Sequence, residues 1–178
     1  QNLSSILKKC ANLKNGAKVL LYKVNNPELF GIAKIDKKNK KIKLLKEKPK
    51  SFLSDQAVTG LYFFDNKVIE YSKSLKPSKR NELEIIDLLN KYKKQKKLSA
   101  EFLGRGGAWL DTGSIEDYYK TTAFVQAIEN RQGLKIACLE EIALLNNWIK
   151  KNHVKKQIKF YGNCEYSNYL RKIIKKSG

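Results

Sequence analysis

An α/β fold with a helical C-terminal region is predicted, and three observations carry it. An almost continuous apolar run, residues 17–24, follows an amphipathic stretch, as in a strand covered on both faces. Shorter strand patterns then alternate with helical ones as far as Leu103. From Ser114 onward the apolar residues recur at helical spacing.

In order, Leu3, Ile6, Leu7, Cys10 and Leu13 share one helical face, which Asn15-Gly16 ends. The run 17–24 is broken by Asn25-Asn-Pro27. Residues 30–36 and 41–45 read as a hairpin turning through Lys37-Lys-Asn-Lys40, and 58–64 as a further strand. A helical stretch, 66–75, precedes the Pro77-Ser78 break, and Ile85, Leu88, Leu89 and Tyr92 mark a helix beginning near Asn81. Residues 98–103 alternate as a half-buried strand does, and the glycines of 104–107 interrupt it. Ser114 and Asp117 form an N-terminal capping pair for a helix that Gln132-Gly133 closes. Leu139, Ile142, Leu145 and Ile149 mark the next helix, and Tyr166, Tyr169, Leu170, Ile173 and Ile174 a last amphipathic stripe.

The 178 residues suit one domain, with or without an appendage, and 42% hydrophobic content suffices for a core. The apolar runs are too short to span a bilayer, so no membrane association is expected. Three cysteines, Cys10, Cys138 and Cys164, lack any C-x-x-C spacing, which argues against a disulfide framework or a zinc site; reduced core thiols in a cytoplasmic protein are expected. The balance of 37 Lys+Arg against 17 Asp+Glu gives a net charge of +20. Its lysines are scattered in pairs, outnumber the arginines and accompany no reader motif, so no specific nucleic-acid partner is expected. The chain opens on Gln1 and has no methionine, and is read as a fragment.

Asp111 stands at the end of an apolar segment, just before the Thr112-Gly113 turn. Carboxylates at such boundaries serve either as turn residues bonding their own backbone or as ligands for phosphate-bound metal. His153, the single histidine, lies among lysines without a triad partner and is expected to be exposed and structural.

The segments Asn26-Pro-Glu-Leu-Phe-Gly31, Lys46-Glu-Lys-Pro49, Ala57-Val-Thr-Gly-Leu-Tyr62, Arg80-Asn-Glu-Leu-Glu-Ile85, Phe102-Leu-Gly-Arg-Gly-Gly-Ala-Trp-Leu-Asp-Thr-Gly113 and Arg131-Gln-Gly-Leu-Lys-Ile-Ala-Cys-Leu-Glu-Glu141 follow one another in the order and approximate spacing of the glucose-1-phosphate thymidylyltransferases, and together the chain resembles that family. The likeness runs from near Gln1 to about Trp148 and weakly beyond. It implies part of a mixed, Rossmann-like nucleotidyltransferase sheet, without the family's glycine-rich phosphate loop and first metal-binding aspartate. Residues 1–130 would be the sugar-binding part and 131–178 a helical C-terminal region.

The implied reaction joins dTTP and glucose 1-phosphate to give dTDP-glucose and pyrophosphate with Mg²⁺, in dTDP-rhamnose and lipopolysaccharide biosynthesis. A homotetramer, with feedback by dTDP-rhamnose, is implied too. Gly31 would lie against the sugar, where a side chain would obstruct it. Glu47 would accept from sugar hydroxyls and Lys48 would neutralise the phosphate, which requires a bend near Pro49 because neighbours in extended chain point apart. Val58 and Gly60, at period two, and Trp109 would line the pocket. Arg80 would clamp phosphate and act with Asp111 and Lys48 in catalysis, Asp111 being the metal ligand. Asn81 replaces the family's usual glycine and Ile86 its usual threonine, so the loop carrying Arg80 departs from the pattern. Gly104, Arg105 and Arg131 resemble parts of a second, regulatory nucleotide site. The rival readings are a non-catalytic binding or oligomerisation module and a basic nucleic-acid-associated protein.

Overall fold

The computed structural model describes residues 3–36, 41–104 and 106–176 and divides into two compact units, Gln1–Trp109 and Leu110–Gly178. The first unit holds helix α1 (Leu3–Ala11), strands β1 (Ala17–Lys23), β2 (Gly31–Ile35), β3 (Ile42–Glu47) and β4 (Gln56–Phe64), helices α2 (Val68–Lys73) and α3 (Ile85–Lys94), and strand β5 (Leu98–Phe102). The strands form one sheet in the order β3-β2-β4-β1-β5. β1 runs parallel to β5 and antiparallel to β4, so the sheet is mixed, as expected. The hairpin of β2 and β3 is present, while its turn lies outside the described residues.

β1 is covered on both faces, with Val19, Leu20 and Leu21 wholly buried. On one face Ala17, Val19 and Leu21 pack with Ala33, Leu45, Val58, Leu89 and Tyr92 under α2 and α3; on the other, Leu20 packs with Ile6 and Cys10 of α1. Period-two alternation makes this division unavoidable for a central strand. α3 starts at Ile85 rather than near Asn81. Ahead of it Asn81 adopts φ +60°, the Asn81 N–H bonds the Ser78 carbonyl at 2.9 Å, and the Ser78 N–H bonds the Glu82 carbonyl at 2.8 Å, which closes a turn instead of a helix.

β4 bulges against β1. Between the pairs Val19–Tyr62 and Leu21–Val58, Leu20 stands opposite Thr59, Gly60 and Leu61. The wholly buried Thr59 hydroxyl donates to the Leu20 carbonyl at 3.0 Å, taking the place of a ladder N–H. Thr59→Val keeps the shape and orphans that carbonyl, so urea denaturation should register a loss of about 1–2 kcal/mol.

Asp65, just past β4, is a polar hub: its carboxylate accepts from the Gly16 N–H at 2.6 Å, the Tyr92 hydroxyl at 2.8 Å and the Lys67 N–H at 3.1 Å. These bonds, the Gly16 N–H foremost, hold its carboxyl below the usual aspartate range, while burial together with Asp65 pushes the Tyr92 phenol up. Because the folded value lies below the unfolded one, the stabilisation is present above the unfolded aspartate pKa and disappears as pH falls through the folded one. Asp65→Asn should therefore flatten the acid limb of a melting-temperature profile below about pH 4.

The second unit is helical, as expected: α4 (Ile115–Gln132), α5 (Leu139–Leu145), α6 (Lys151–Tyr161) and α7 (Glu165–Lys176). Ser114 caps α4 by accepting from the Asp117 N–H at 3.0 Å, and Gly133 ends it at φ +66°. α5 stops at Leu145, short of Ile149, because Asn147 turns left-handed at φ +59°. α6 escaped the sequence reading as a separate helix; the exposed His153 helps start it, its Nδ1 accepting from the Lys150 N–H at 3.3 Å. Cys138, Val154, Ile158, Tyr169 and Leu170 form this unit's core. Cys10 and Cys138 are buried as expected, whereas Cys164 is exposed, since it sits at the leading end of α7 where its Sγ meets the Ser167 N–H at 3.5 Å. No described helix is long and apolar enough to cross a membrane.

Candidate functional site

The chemistry-bearing residues of the first unit gather where β3 ends. Glu47 pairs with Gly31 across the hairpin and faces α3. A Cβ on Gly31 would lie 2.8 Å from Ile86 Cδ1 and 3.0 Å from Glu47 Oε2, so no side chain fits there. The atoms that approach Gly31 closely are those of Ile86 and Glu47.

Lys48 leaves the strand at φ +38°, its N–H bonded to the Phe30 carbonyl at 3.1 Å, with Pro49 buried after it. The bend expected at Pro49 is made one residue earlier. A lysine in the left-handed region carries about 1 kcal/mol of backbone strain. The Lys48 charge favours the ionised form of both the Glu47 and the Glu84 carboxyls.

Arg80 meets them from the turn before α3. Its Nε and Nη2 donate to Glu84 Oε1 at 3.1 and 3.0 Å, and Nη2 also reaches Glu84 Oε2 at 2.9 Å. Further ion pairs join Nη2 to Glu82 at 3.1 Å and to Glu47 at 3.9 Å. The Ser78 hydroxyl donates to Glu84 at 2.8 Å and accepts from the Arg80 N–H at 3.1 Å. Asn81 serves the turn as glycine would, because asparagine tolerates the left-handed region.

Burial, and after it the Glu84 charge, pushes the Glu47 carboxyl up, opposed by Arg80 and Lys48. The Ser78 hydroxyl and then Arg80 hold Glu84 down. Burial and the nearby Glu47 raise the Tyr62 phenol. Tyr62, Ser78 and Glu84 were not singled out in the sequence. The first lies at ordinary strand spacing, and the Ser78–Glu84 pair spans a turn that has no sequence period.

Val58 is in the core, and Gly60 opens to solvent with no atom within 4 Å of a would-be Cβ. Trp109 packs on Phe30 at 5.1 Å and Tyr22 at 6.0 Å. Tyr22 alternates with Leu21, so this aromatic cluster lies on the sheet face opposite Glu47 and Arg80. The Gly104 carbonyl accepts from the Gly107 N–H at 2.9 Å in a turn, and Arg105 lies outside the described residues. A cleft of about 540 Å³, lined by Lys34, Asp36, Phe52, Asp55, Gln56 and Phe102 among others, includes none of the expected site residues.

In the second unit, Arg131 is exposed in the last turn of α4. Asp111 is exposed too; its carbonyl accepts from the Thr121 hydroxyl at 3.3 Å, and its carboxylate lies over Gly113, where a Cβ would come within 2.9 Å. Among the described residues no cluster of three His, Cys, Asp or Glu side chains could hold a metal. A lone exposed carboxylate fits Mg²⁺ as one ligand beside phosphate oxygens, not as a complete cage.

Comparison with known proteins gives a consistent result. The profile of the family described as Nucleotidyl transferase matches residues 1–128. A glucose-1-phosphate thymidylyltransferase of Neisseria gonorrhoeae is 46% identical over 176 residues, 99% of this chain and 61% of the relative. One from Neisseria meningitidis is 43% identical over the same shares. Among solved structures, a Bacillus anthracis protein provisionally named glucose-1-phosphate thymidylyltransferase, in complex with sucrose, superposes with a TM-score of 0.60 at 42% identity, covering 70% of this chain and 49% of that one. A UDP-glucose pyrophosphorylase complexed with UDP-glucose gives a TM-score of 0.57 at 26% identity, covering 70% and 48%. The chain spans about three fifths of the length of the curated relatives it matches.

Proposed function

The chain belongs to the nucleotidyl transferase family, and from that premise we propose that its full-length gene product is a glucose-1-phosphate thymidylyltransferase. The mixed sheet is of the Rossmann-like nucleotidyltransferase kind. In the proposed reaction a phosphate oxygen of glucose 1-phosphate attacks the α-phosphorus of dTTP in line, the new P–O bond forms dTDP-glucose, and pyrophosphate leaves. Such transfers ask the protein mainly for alignment and charge neutralisation.

The observation that supports the reading is the corner where β3 ends: Glu47 lies against Gly31 across the hairpin, the exposed Lys48 follows it at φ +38°, and Arg80 stands 3.9 Å from Glu47. Glu47 would accept from two hydroxyls of the hexose, and Lys48 would neutralise its phosphate. Tyr62, beside Glu47, would border the sugar. Val58, Gly60 and Trp109 are kept as candidate wall residues, and Gly104, Arg105 and Arg131 as candidates for a regulatory nucleotide site. Asp111 would be one ligand of Mg²⁺, which when bound neutralises charge passing to the leaving pyrophosphate. Residues 131–178 are proposed as the assembly region of a homo-oligomer, a homotetramer by family likeness, working in the cytoplasm.

The test is pyrophosphate release from dTTP and glucose 1-phosphate by the full-length gene product. Release that requires both substrates supports the reading, and a folded product that binds neither overturns it.

A further inference from the structure

We propose that the basic cleft at the C-terminal end of α3 is a binding site for a short chain of linked phosphates, distinct from the corner around Glu47. The cleft holds about 780 Å³ and lies where the two outer strands of the sheet, β3 and β5, approach each other and α3. Lys41 borders it just ahead of β3, and Lys93, Lys96 and Lys97 border it from the end of α3 and the turn into β5. No acidic residue lines it. Helix α3 has ten residues and its N-terminal end stands at Glu47, so the two places are about 15 Å apart.

Lysines in the last turn of a helix ordinarily complement its macrodipole. Lys93 instead reaches across to the neighbouring strand, where its ammonium donates to the Lys43 carbonyl at 3.2 Å. Lys96 and Lys97 lie beyond the helix on a fixed backbone. Lys96 adopts φ +57°, the Lys97 N–H donates to the Tyr92 carbonyl at 3.0 Å, and the Lys97 carbonyl accepts from the Ala17 N–H at 2.8 Å. Among the described residues no carboxylate pairs with Lys93, Lys96 or Lys97. Ammonium groups gathered around one concavity repel one another, and a multiply charged anion relieves that repulsion as it binds. Lysine meets phosphate as a point charge on a long stem, and charges on both sides of a cleft favour several linked phosphates over one. A nucleic-acid strand fits less well, because the lining includes no aromatic side chain on which a base could stack.

The test is calorimetric titration of the 178-residue chain, at fixed salt and without divalent metal, with inorganic tripolyphosphate, orthophosphate and a short oligothymidylate. Tripolyphosphate should bind saturably and at least about tenfold tighter than orthophosphate. Lys96→Asn/Lys97→Gln, in which asparagine suits the left-handed backbone, should weaken tripolyphosphate at least about tenfold. Lys155→Gln/Lys156→Gln on the exposed face of α6 removes the same net charge and should leave its affinity within about twofold. Equal losses in the two variants would reduce the attraction to net charge and overturn the proposal, as would equal affinities for tripolyphosphate and orthophosphate. Oligothymidylate that binds tighter than tripolyphosphate through Lys96 and Lys97 would give the cleft to nucleic acid and overturn it as well. Should the Lys96→Asn/Lys97→Gln chain fail to fold, amide shifts of the wild type decide: tripolyphosphate should move the signals of residues 96–100, and shifts centred on other lysine-rich surfaces would refute the site.

Discussion

Asp111→Asn in the full-length gene product is expected to lower pyrophosphate release at least about a hundredfold, with the loss in kcat rather than in the KM for glucose 1-phosphate. The substitution keeps the size of the side chain and removes its charge, and a neutral amide is a poor substitute for a hard anionic oxygen on Mg²⁺. The fold should not register the change. The local tie of Asp111 is its backbone carbonyl, bonded to the Thr121 hydroxyl, and the N-terminus of α4 is capped by Ser114, so both survive. Circular dichroism should therefore be unaltered, and the Mg²⁺ concentration giving half-maximal rate should rise. Equal rates in variant and wild type would remove Asp111 from the metal and leave it a turn residue.

Gly31→Val should be the most damaging change in the first unit's site. The added Cβ alone would lie 2.8 Å from Ile86 Cδ1 and 3.0 Å from Glu47 Oε2, and the two further methyl groups worsen the clash. Ile86 is buried against the core and cannot give way cheaply, so the expected cost is about 2–3 kcal/mol, read as a lower urea midpoint at unchanged slope. The Glu47 carboxylate, at the end of a flexible side chain, is displaced instead. Glucose 1-phosphate binding should fall by at least about tenfold, beyond what the lost stability explains. Gly31→Ala, lacking the extra methyl groups, should show a smaller loss of both. A stable Gly31→Val that binds sugar phosphate normally would separate Glu47 from the sugar.

The strands, and the helices that cover them, were legible because each carries its own period: β1 reads as doubly buried from Val19-Leu20-Leu21, and α4 is bracketed by Ser114 and Gly133. What escaped depends on contacts distant in sequence or on backbone sign. The bulge at Thr59 has one local signal, Gly60 inside the strand, while the bond that Thr59 makes there depends on the Leu20 carbonyl of a neighbouring strand. The delayed start of α3 follows from the left-handed Asn81. α6 is hidden because its polar face is so rich in lysine that Val154 and Ile158 alone are buried. At the site, family likeness pointed to Gly31, Glu47, Lys48 and Arg80, and the structure brings these four together. Glu84 and Ser78, which govern the guanidinium, belong to a turn whose pairing no spacing rule reports.

The conformation of Lys48 constrains how this corner could be improved by directed evolution. Selection for heat tolerance alone would favour glycine or asparagine at position 48, which relieve the left-handed backbone at no cost in packing, since the lysine side chain is exposed. Either would delete the ammonium. Thermal robustness and the anion capture proposed for Lys48 would thus be in opposition at this one codon, and libraries screened only for survival should drift toward proteins that melt later and hold sugar phosphate less tightly.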